Sequence, residues 1–322
     1  VNFIYRNDTD RFVPMFEIIY SIELVFIILA LIVSFVVFYF GLLTPGIHRM
    51  IQLRVFFSIL LADIYVSTRV IVMYHQYYGP SEYVESADLI FGSMVMETFI
   101  SYMASLVFFL SLDRWVATKA WAWYESGAKT TILFFALQEI LLYTIAISLA
   151  YLIVYDYISS MTSVYCFGVI ILFGSTVFAF VFRHNLRVMR EMKKGAVINK
   201  YSISRTFQIK ENIDLLRTYT KVARPLVCVC IPPFAFYPVF YLVPANIGYD
   251  GLRFFSASMY HLWLSKASVV VIGCLPFYYP RLMQTIKSKS TRTISVPSME
   301  FIEKNTLELG DAYFTLLTND WK

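Results

Sequence analysis

The chain has 322 residues, of which 58% are hydrophobic and 18% aromatic. Only 15% are charged, against roughly 25% in soluble domains, and the formal net charge is +5. This composition excludes an ordinary soluble domain. We expect the chain to lie in the lipid bilayer and to bind no nucleic acid.

Seven apolar stretches follow one another along the chain, parted by short polar loops. A bilayer core about 30 Å thick needs around 20 helical residues to cross it. A membrane β-barrel would instead show alternation in segments of about ten residues. The sequence therefore predicts an all-α membrane protein, a seven-transmembrane helix bundle. The predicted spans are Glu17–Gly41, Ile51–Tyr74, Leu89–Leu112, Thr131–Val154, Val164–Phe182, Pro225–Val243 and Phe255–Pro276.

Basic residues indicate the orientation of this bundle. Of the 27 Lys and Arg residues, 22 fall on the side that holds the loop Arg183–Arg224 and the tail from Arg281 onward. Basic loops stay in the cytoplasm, so the N-terminus is predicted outside and the C-terminus inside. The sequon Asn7-Asp8-Thr9 then lies outside, with Asn7 as a glycosylation site. We expect an extracellular tail (1–16), the bundle (17–280) and a cytoplasmic tail (281–322).

Ionisable residues inside the spans are costly in lipid and usually face the bundle interior. Asp63 and Arg69 lie in the second span, Glu97 in the third, and His261 and Lys266 in the seventh. One interpretation is internal pairing, with Asp63 or Glu97 joined to Arg69 or Lys266. Glu139 with Gln138, in the fourth span, is a further polar pair.

The other interpretation is a ligand pocket in the outer half of the bundle. Glu97, Lys266 and His261 would supply its polar groups, since sites between helices combine apolar walls with a few polar residues. The candidate aromatic walls are Tyr102, Phe236, Tyr237, Tyr241 and Trp263. A Schiff base between Lys266 and an aldehyde chromophore is a third and less favoured possibility, and we expect no cofactor.

Motifs for catalysis or metal binding are absent from the sequence. The four cysteines have no metal-ligand spacing, the four histidines are scattered, and no P-loop or nucleophile elbow occurs. We therefore expect neither an enzyme nor a metal site. Only Cys166 is predicted near the outer surface, so no structural disulfide is expected either.

Two further features concern movement. Pro232, Pro233 and Pro238 in the sixth span predict a bent helix. Asp113-Arg114 ends the third span, either as a helix-end charge pair or as a latch that frees Arg114 for a partner. The basic loop Arg183–Arg224 suggests helices that continue below the membrane, contacting anionic lipid, a cytoplasmic partner or both.

Two inner segments resemble a known family. The run from Asp113 to Thr118, continuing to Tyr124-Glu125, resembles the (Glu/Asp)-Arg-x-x-Ala-Thr…Tyr-Glu signature of nematode serpentine chemoreceptors. The segment Tyr201–Ile213 is similar to the Tyr-(Ser/Thr)-Leu-Ser-x-x-(Phe/Tyr)-Gln-x-x-Glu-Asn stretch of the Sre family. This second motif is the more specific, and the resemblance covers essentially the whole chain.

The resemblance implies a G-protein-coupled receptor at the plasma membrane, expected in the cilium of a sensory neuron. It would bind a small-molecule ligand and activate a heterotrimeric G protein through its alpha subunit. By position, Arg114 would be the switch arginine, Asp113 its partner, and Asp63 an interior polar group of the second helix. The chain departs from rhodopsin-like receptors in two places: it has no Cys at the outer start of the third span, and it has Leu275–Tyr279 where those receptors have Asn-Pro-x-x-Tyr. A third departure is Trp121 and Trp123 before Tyr124-Glu125, where relatives more often have a polar residue.

Three other functional classes stay open on the sequence alone. A ligand-gated channel of the insect odorant-receptor kind would place the N-terminus inside. A small-solute transporter would need broken helices around a site in the middle of the membrane. An intramembrane enzyme would need facing catalytic carboxylates, for which the sequence offers no convincing candidate.

Overall fold

A computed structural model describes residues 12–43, 49–78, 86–120, 123–124, 129–193, 203–243, 249–278 and 286. Within these ranges the chain forms seven long helices and no strand. They are α1 (Val13–Leu43), α2 (Arg49–Tyr78), α3 (Ala87–Lys119), α4 (Lys129–Val154), α5 (Ser160–Lys193), α6 (Ile203–Leu242) and α7 (Asp250–Tyr278).

The seven helices match the seven predicted spans one to one, and only the sixth span runs past its helix, by a single residue. Six of them, α1 to α5 and α7, are long and apolar enough to cross a membrane. Some side chains in the apolar half of α6 are not among the described ones. The predicted all-α membrane bundle is confirmed, while its orientation stays a prediction. Below, 'inner' names the end of the bundle that carries the basic loop and 'outer' the opposite end.

The helix α3 lies in the middle of the bundle. It packs against α2, α4, α5 and α6, whereas α7 packs mainly against α1 and α6. The largest core cluster joins side chains of α1, α2, α3, α4 and α7, with Tyr65, Phe99 and Tyr102 among its buried aromatic rings. Large apolar side chains such as Phe35 on α1 and Leu172 on α5 are exposed, as expected for faces that contact lipid tails.

A glycine allows α3 and α5 to approach closely. A Cβ atom on Gly174 would lie 3.1 Å from the backbone nitrogen of Phe108, whereas one on Gly168, nearly two turns earlier on α5, would meet nothing within 4 Å. Because Gly174 has no side chain, the fifth helix can contact the backbone of the third.

Both helices that border the basic loop extend beyond the predicted spans. The helix α5 continues to Lys193 and α6 begins at Ile203, which confirms the predicted helical extensions; residues 194–202 lie outside the described part. The helix α6 is continuous through Pro232, Pro233 and Pro238. The predicted bend at these prolines stays a prediction.

Candidate functional site

The guanidinium of Arg114, at the inner end of α3, is bonded to three other side chains. Its Nε and Nη2 donate to Oδ2 of Asp113 at 3.1 and 2.5 Å, and Nη2 also donates to the hydroxyl of Tyr124 at 2.6 Å. Its Nη1 donates to Oδ1 of Asn212 on α6 at 3.0 Å. One arginine thus joins α3 to the connection that follows it and to the start of the sixth helix.

A second set of bonds extends this network to α5. Thr118, one turn after Arg114, donates from Oγ1 to Oδ1 of Asn185 at 2.8 Å and accepts from Nδ2 of Asn212 at 3.1 Å. Asn185 in turn donates to the backbone carbonyl of Val181 at 2.9 Å. We call Asp113, Arg114, Thr118, Tyr124, Asn185 and Asn212 the inner network.

The inner network is withdrawn from solvent. Arg114 is 1% exposed and both asparagines are 0% exposed. Burial raises the pKa of Tyr124, with the Arg114 guanidinium opposing that shift, and the phenol therefore stays a neutral donor to Asp113. Charge-assisted hydrogen bonds in such surroundings are the strong ones, so the network holds three helices together at their inner ends.

In the outer half, the buried charge of Arg69 is neutralised by α1. Its Nε and Nη2 donate to the two carboxylate oxygens of Glu23 at 2.8 and 3.1 Å, and Nη1 donates to Gln76 at 2.7 Å. The prediction that Arg69 pairs with Asp63 or Glu97 is therefore wrong. Glu23 is the partner because α1 lies beside α2 at this depth, and an acid inside the first apolar span was the signal for it.

The two acids expected to pair with Arg69 have other surroundings. Asp63 accepts a hydrogen bond from Ser34 of α1 at 2.7 Å. Glu97 has no hydrogen bond or ion pair to a described residue, but it interacts electrostatically with Tyr65. Lys266 does not pair with an acid in the described structure either; its ammonium lies 3.9 Å from the ring centroid of Trp263.

The other candidate pocket residues fall into separate groups. The rings of Tyr237 and Tyr260 are 5.1 Å apart, and Tyr260 contacts the ring of His261. Tyr102 points elsewhere, towards α2 and α4, where it contacts Ser58 and Tyr143, so its expected place in a pocket wall with α6 and α7 is wrong. The side chain of Tyr241 and the sequon at Asn7 lie outside the described residues.

The sequence did not predict a third cluster of buried polar residues, which centres on Arg54. Arg54 of α2 donates to Glu139 at 2.6 Å and to Gln138 at 3.0 Å, both on α4. The same guanidinium donates to the backbone carbonyl of Phe109 on α3. Each of these polar residues stands in an apolar stretch of the sequence. Their pairing could not be predicted, because it depends on α2, α3 and α4 lying side by side at the same depth of the bundle.

Comparison with known families decides the identity. A family model described as Sre G protein-coupled chemoreceptor matches residues 2–322. The chain belongs to the Sre family. A search of curated proteins found no match.

In this Sre chain, the two segments that carried the resemblance meet in space. The first segment supplies Asp113, Arg114, Thr118 and Tyr124, and the second supplies Asn212. Asn185 on α5 was not foreseen, since a single asparagine in a polar helical extension gives no signal of its own. No group of three His, Cys, Asp or Glu residues suited to a metal ion occurs among the described residues of this Sre chain.

Proposed function

We propose that this Sre family member is a plasma-membrane chemosensory receptor, placed in the cilium of a sensory neuron. It binds a small-molecule cue from outside and activates the alpha subunit of a heterotrimeric G protein inside. Arg114 is the switch residue and Asp113 its resting partner. The observation that supports this most is the set of Arg114 bonds to Asp113, Tyr124 and Asn212.

The inner network offers a physical route from ligand to G protein. In the resting packing, Asn212 and Thr118 tie the start of α6 to α3, and Asn185 ties in α5. A ligand that favours a second packing separates these inner ends, which exposes Arg114 and the basic loop to the alpha subunit. To move the equilibrium from 1:99 to 99:1, the ligand must bind the second packing better by about 5.5 kcal/mol.

The ligand enters from the outer half, where Glu97, Lys266, His261, Tyr237 and Trp263 are candidate contacts. In this proposal the N-terminus lies outside with Asn7 glycosylated, and the tail lies inside. An enzymatic role is not part of it, because the function rests on a shift between packings.

A screen with a matched variant tests this function. Cells expressing the chain with a promiscuous alpha subunit are exposed to volatile and water-soluble small molecules while calcium or cAMP is recorded. We expect at least one compound to give a response that Arg114→Ala removes and Lys129→Ala keeps, at equal surface expression. Lys129 is a suitable control because it is exposed at the start of α4, outside the basic loop. A response that survives in Arg114→Ala, or a ligand-gated current without any G protein, contradicts the proposal.

A further inference from the structure

Three polar atoms in the outer half of the bundle are buried without a hydrogen-bond partner among the described residues. They are the hydroxyl of Tyr65 on α2, and the hydroxyl of Ser258 and Nδ1 of His261 on α7. The Tyr65 hydroxyl lies near the Ser265 side chain but outside hydrogen-bond geometry. Tyr65 is 0% exposed and Ser258 is 1% exposed. Buried polar groups are nearly always bonded, because an unpaired one is costly. Three of them on two neighbouring helices point to a partner other than the protein.

These atoms belong to one place in the fold. Ser258, His261 and Ser265 follow each other at helical spacings of three and four, which places them on one face of α7. Oε1 of Glu23 accepts both from Nε of Arg69 and from Oγ of Ser265, at 2.8 and 3.3 Å. This shared oxygen brings that face of α7 beside Arg69 on α2.

Electrostatic interactions connect the remaining members. Arg69 interacts with the imidazole of His261 and with the hydroxyl of Tyr65, which lies one turn before it on α2. The ring of Phe99 on α3 stacks on Tyr65 with centroids 4.5 Å apart and forms an apolar wall. The cluster therefore lies where α2, α3 and α7 meet.

The charge of the cluster is balanced internally. Glu23 binds the Arg69 guanidinium through both carboxylate oxygens, and Gln76 occupies a third N–H. The atoms left to bind a ligand are two hydroxyls and an imidazole nitrogen, which donate or accept hydrogen bonds but carry no charge that would neutralise a charged ligand. A charged ligand would enter a low-dielectric region in which the cation, Arg69, is already neutralised.

We propose that Tyr65, Ser258 and His261 form a subsite for a neutral hydrogen-bonding molecule, such as an alcohol, ketone or ester. An acid finds no free cation in the cluster, because Glu23 already neutralises Arg69. An amine, which would pair with Glu97 beside Tyr65, is the alternative that the test below distinguishes. This subsite rests on the proposed receptor function and deepens it, since it locates the polar end of the chemical cue between α2, α3 and α7.

Chemical labelling of a substituted cysteine tests the subsite without any signalling assay. Ser258→Cys in intact cells is treated from outside with methyl methanethiosulfonate, or with the anionic sulfonatoethyl or cationic trimethylammonioethyl reagent. Mass spectrometry of the peptide that carries the introduced cysteine reports the extent of labelling. Ser265→Cys, two turns further into the bundle on the same face, is the second variant. Ser93→Cys is the matched control, since Ser93 is buried in the outer half of α3 with its hydroxyl bonded to the Leu89 carbonyl.

The neutral reagent is expected to label Ser258→Cys and to spare Ser93→Cys, with both charged reagents on the order of a hundredfold slower at residue 258. If neither Ser258→Cys nor Ser265→Cys reacts faster than Ser93→Cys, the subsite does not exist. Comparable rates for a charged reagent overturn the assignment to neutral molecules. A chain that labels as expected but fails to activate any alpha subunit contradicts the receptor function alone.

Discussion

Arg114 on α3 and Asn212 on α6 are joined by a 3.0 Å hydrogen bond, although 98 positions separate them in the chain. Both are buried, and Asn212 also reaches Thr118 one turn after Arg114. An asparagine that satisfies an arginine and a threonine at once couples the position of α6 to that of α3. Movement of the sixth helix therefore changes the partners of Arg114 directly.

Removing the hydroxyl of Tyr124 should weaken the inner network without changing its shape. In Tyr124→Phe, Arg114 Nη2 loses its 2.6 Å acceptor and Asp113 loses a donor. Hydrogen bonds to charged groups contribute about 1.5–3 kcal/mol, so we expect a lower melting temperature for the receptor in lipid nanodiscs. Tyr157→Phe is the control, because Tyr157 is 70% exposed between α4 and α5. Equal melting temperatures for the two variants would show that the Tyr124 hydroxyl contributes nothing to stability.

Removing the acid that neutralises Arg69 should destabilise the outer half. Glu23→Gln leaves a buried guanidinium without its counter-charge, which typically costs about 3–5 kcal/mol of unfolding free energy. Adding Arg69→Gln to the same chain should recover part of this loss, because no uncompensated charge then remains. Thermal unfolding of both variants in nanodiscs measures the effect.

The control for that comparison is Glu17→Gln, on the same helix. Glu17 accepts a hydrogen bond from Tyr77 at 3.1 Å but lies at a partly exposed position. Its substitution should therefore cost much less than Glu23→Gln. Similar losses at both positions, or a double variant that is less stable than Glu23→Gln, would contradict the pairing described for Arg69.

The contact between α3 and α5 can be tested with two glycines of one helix. Gly174→Ala places a methyl group 3.1 Å from the Phe108 backbone nitrogen, whereas Gly168→Ala adds one in open space. Overpacking against a backbone typically costs about 1–3 kcal/mol, while alanine in an exposed helix is favoured over glycine by about 1 kcal/mol. We expect Gly174→Ala to lower the melting temperature and Gly168→Ala to leave it equal or higher. The reverse order would refute the close approach.

The sequence predicted the helices well because lipid imposes one simple condition on each span by itself. Twenty apolar residues must be helical wherever their neighbours lie. All seven helices were predicted this way, and six of them are long and apolar enough to cross a membrane. Which charges meet across the bundle depends on which helices are neighbours. Glu23 was a visible acid in an apolar run, yet its choice of Arg69 required α1 to lie beside α2. Pairing of Arg54 with Glu139 likewise required α2 and α4 to meet.

The inner network was predicted in part. Asp113, Arg114, Tyr124 and Asn212 stood in two segments whose resemblance to one family singled them out, and the structure brings those segments together. Asn185 could not be foreseen, since a polar residue in a long amphipathic extension is usually solvated. Of the predicted pocket, Tyr102 was assigned to the wrong side of the bundle because aromatic residues of a central helix face several neighbours.

The most direct test of the coupling between Arg114 and Asn212 needs no ligand. Nucleotide exchange by an alpha subunit is measured in nanodiscs for the unaltered chain, Asn212→Ala, and Asn212→Ala combined with Arg114→Ala. Asp214→Ala, two residues further along α6 at an exposed position, is the control. Losing the 3.0 Å bond to Arg114 should favour the second packing by about 1.5–3 kcal/mol. Basal exchange should therefore rise by at least about tenfold in Asn212→Ala and fall back when Arg114 is also removed. Basal exchange that is the same in Asn212→Ala and Asp214→Ala, or a rise that persists without Arg114, would contradict the switch.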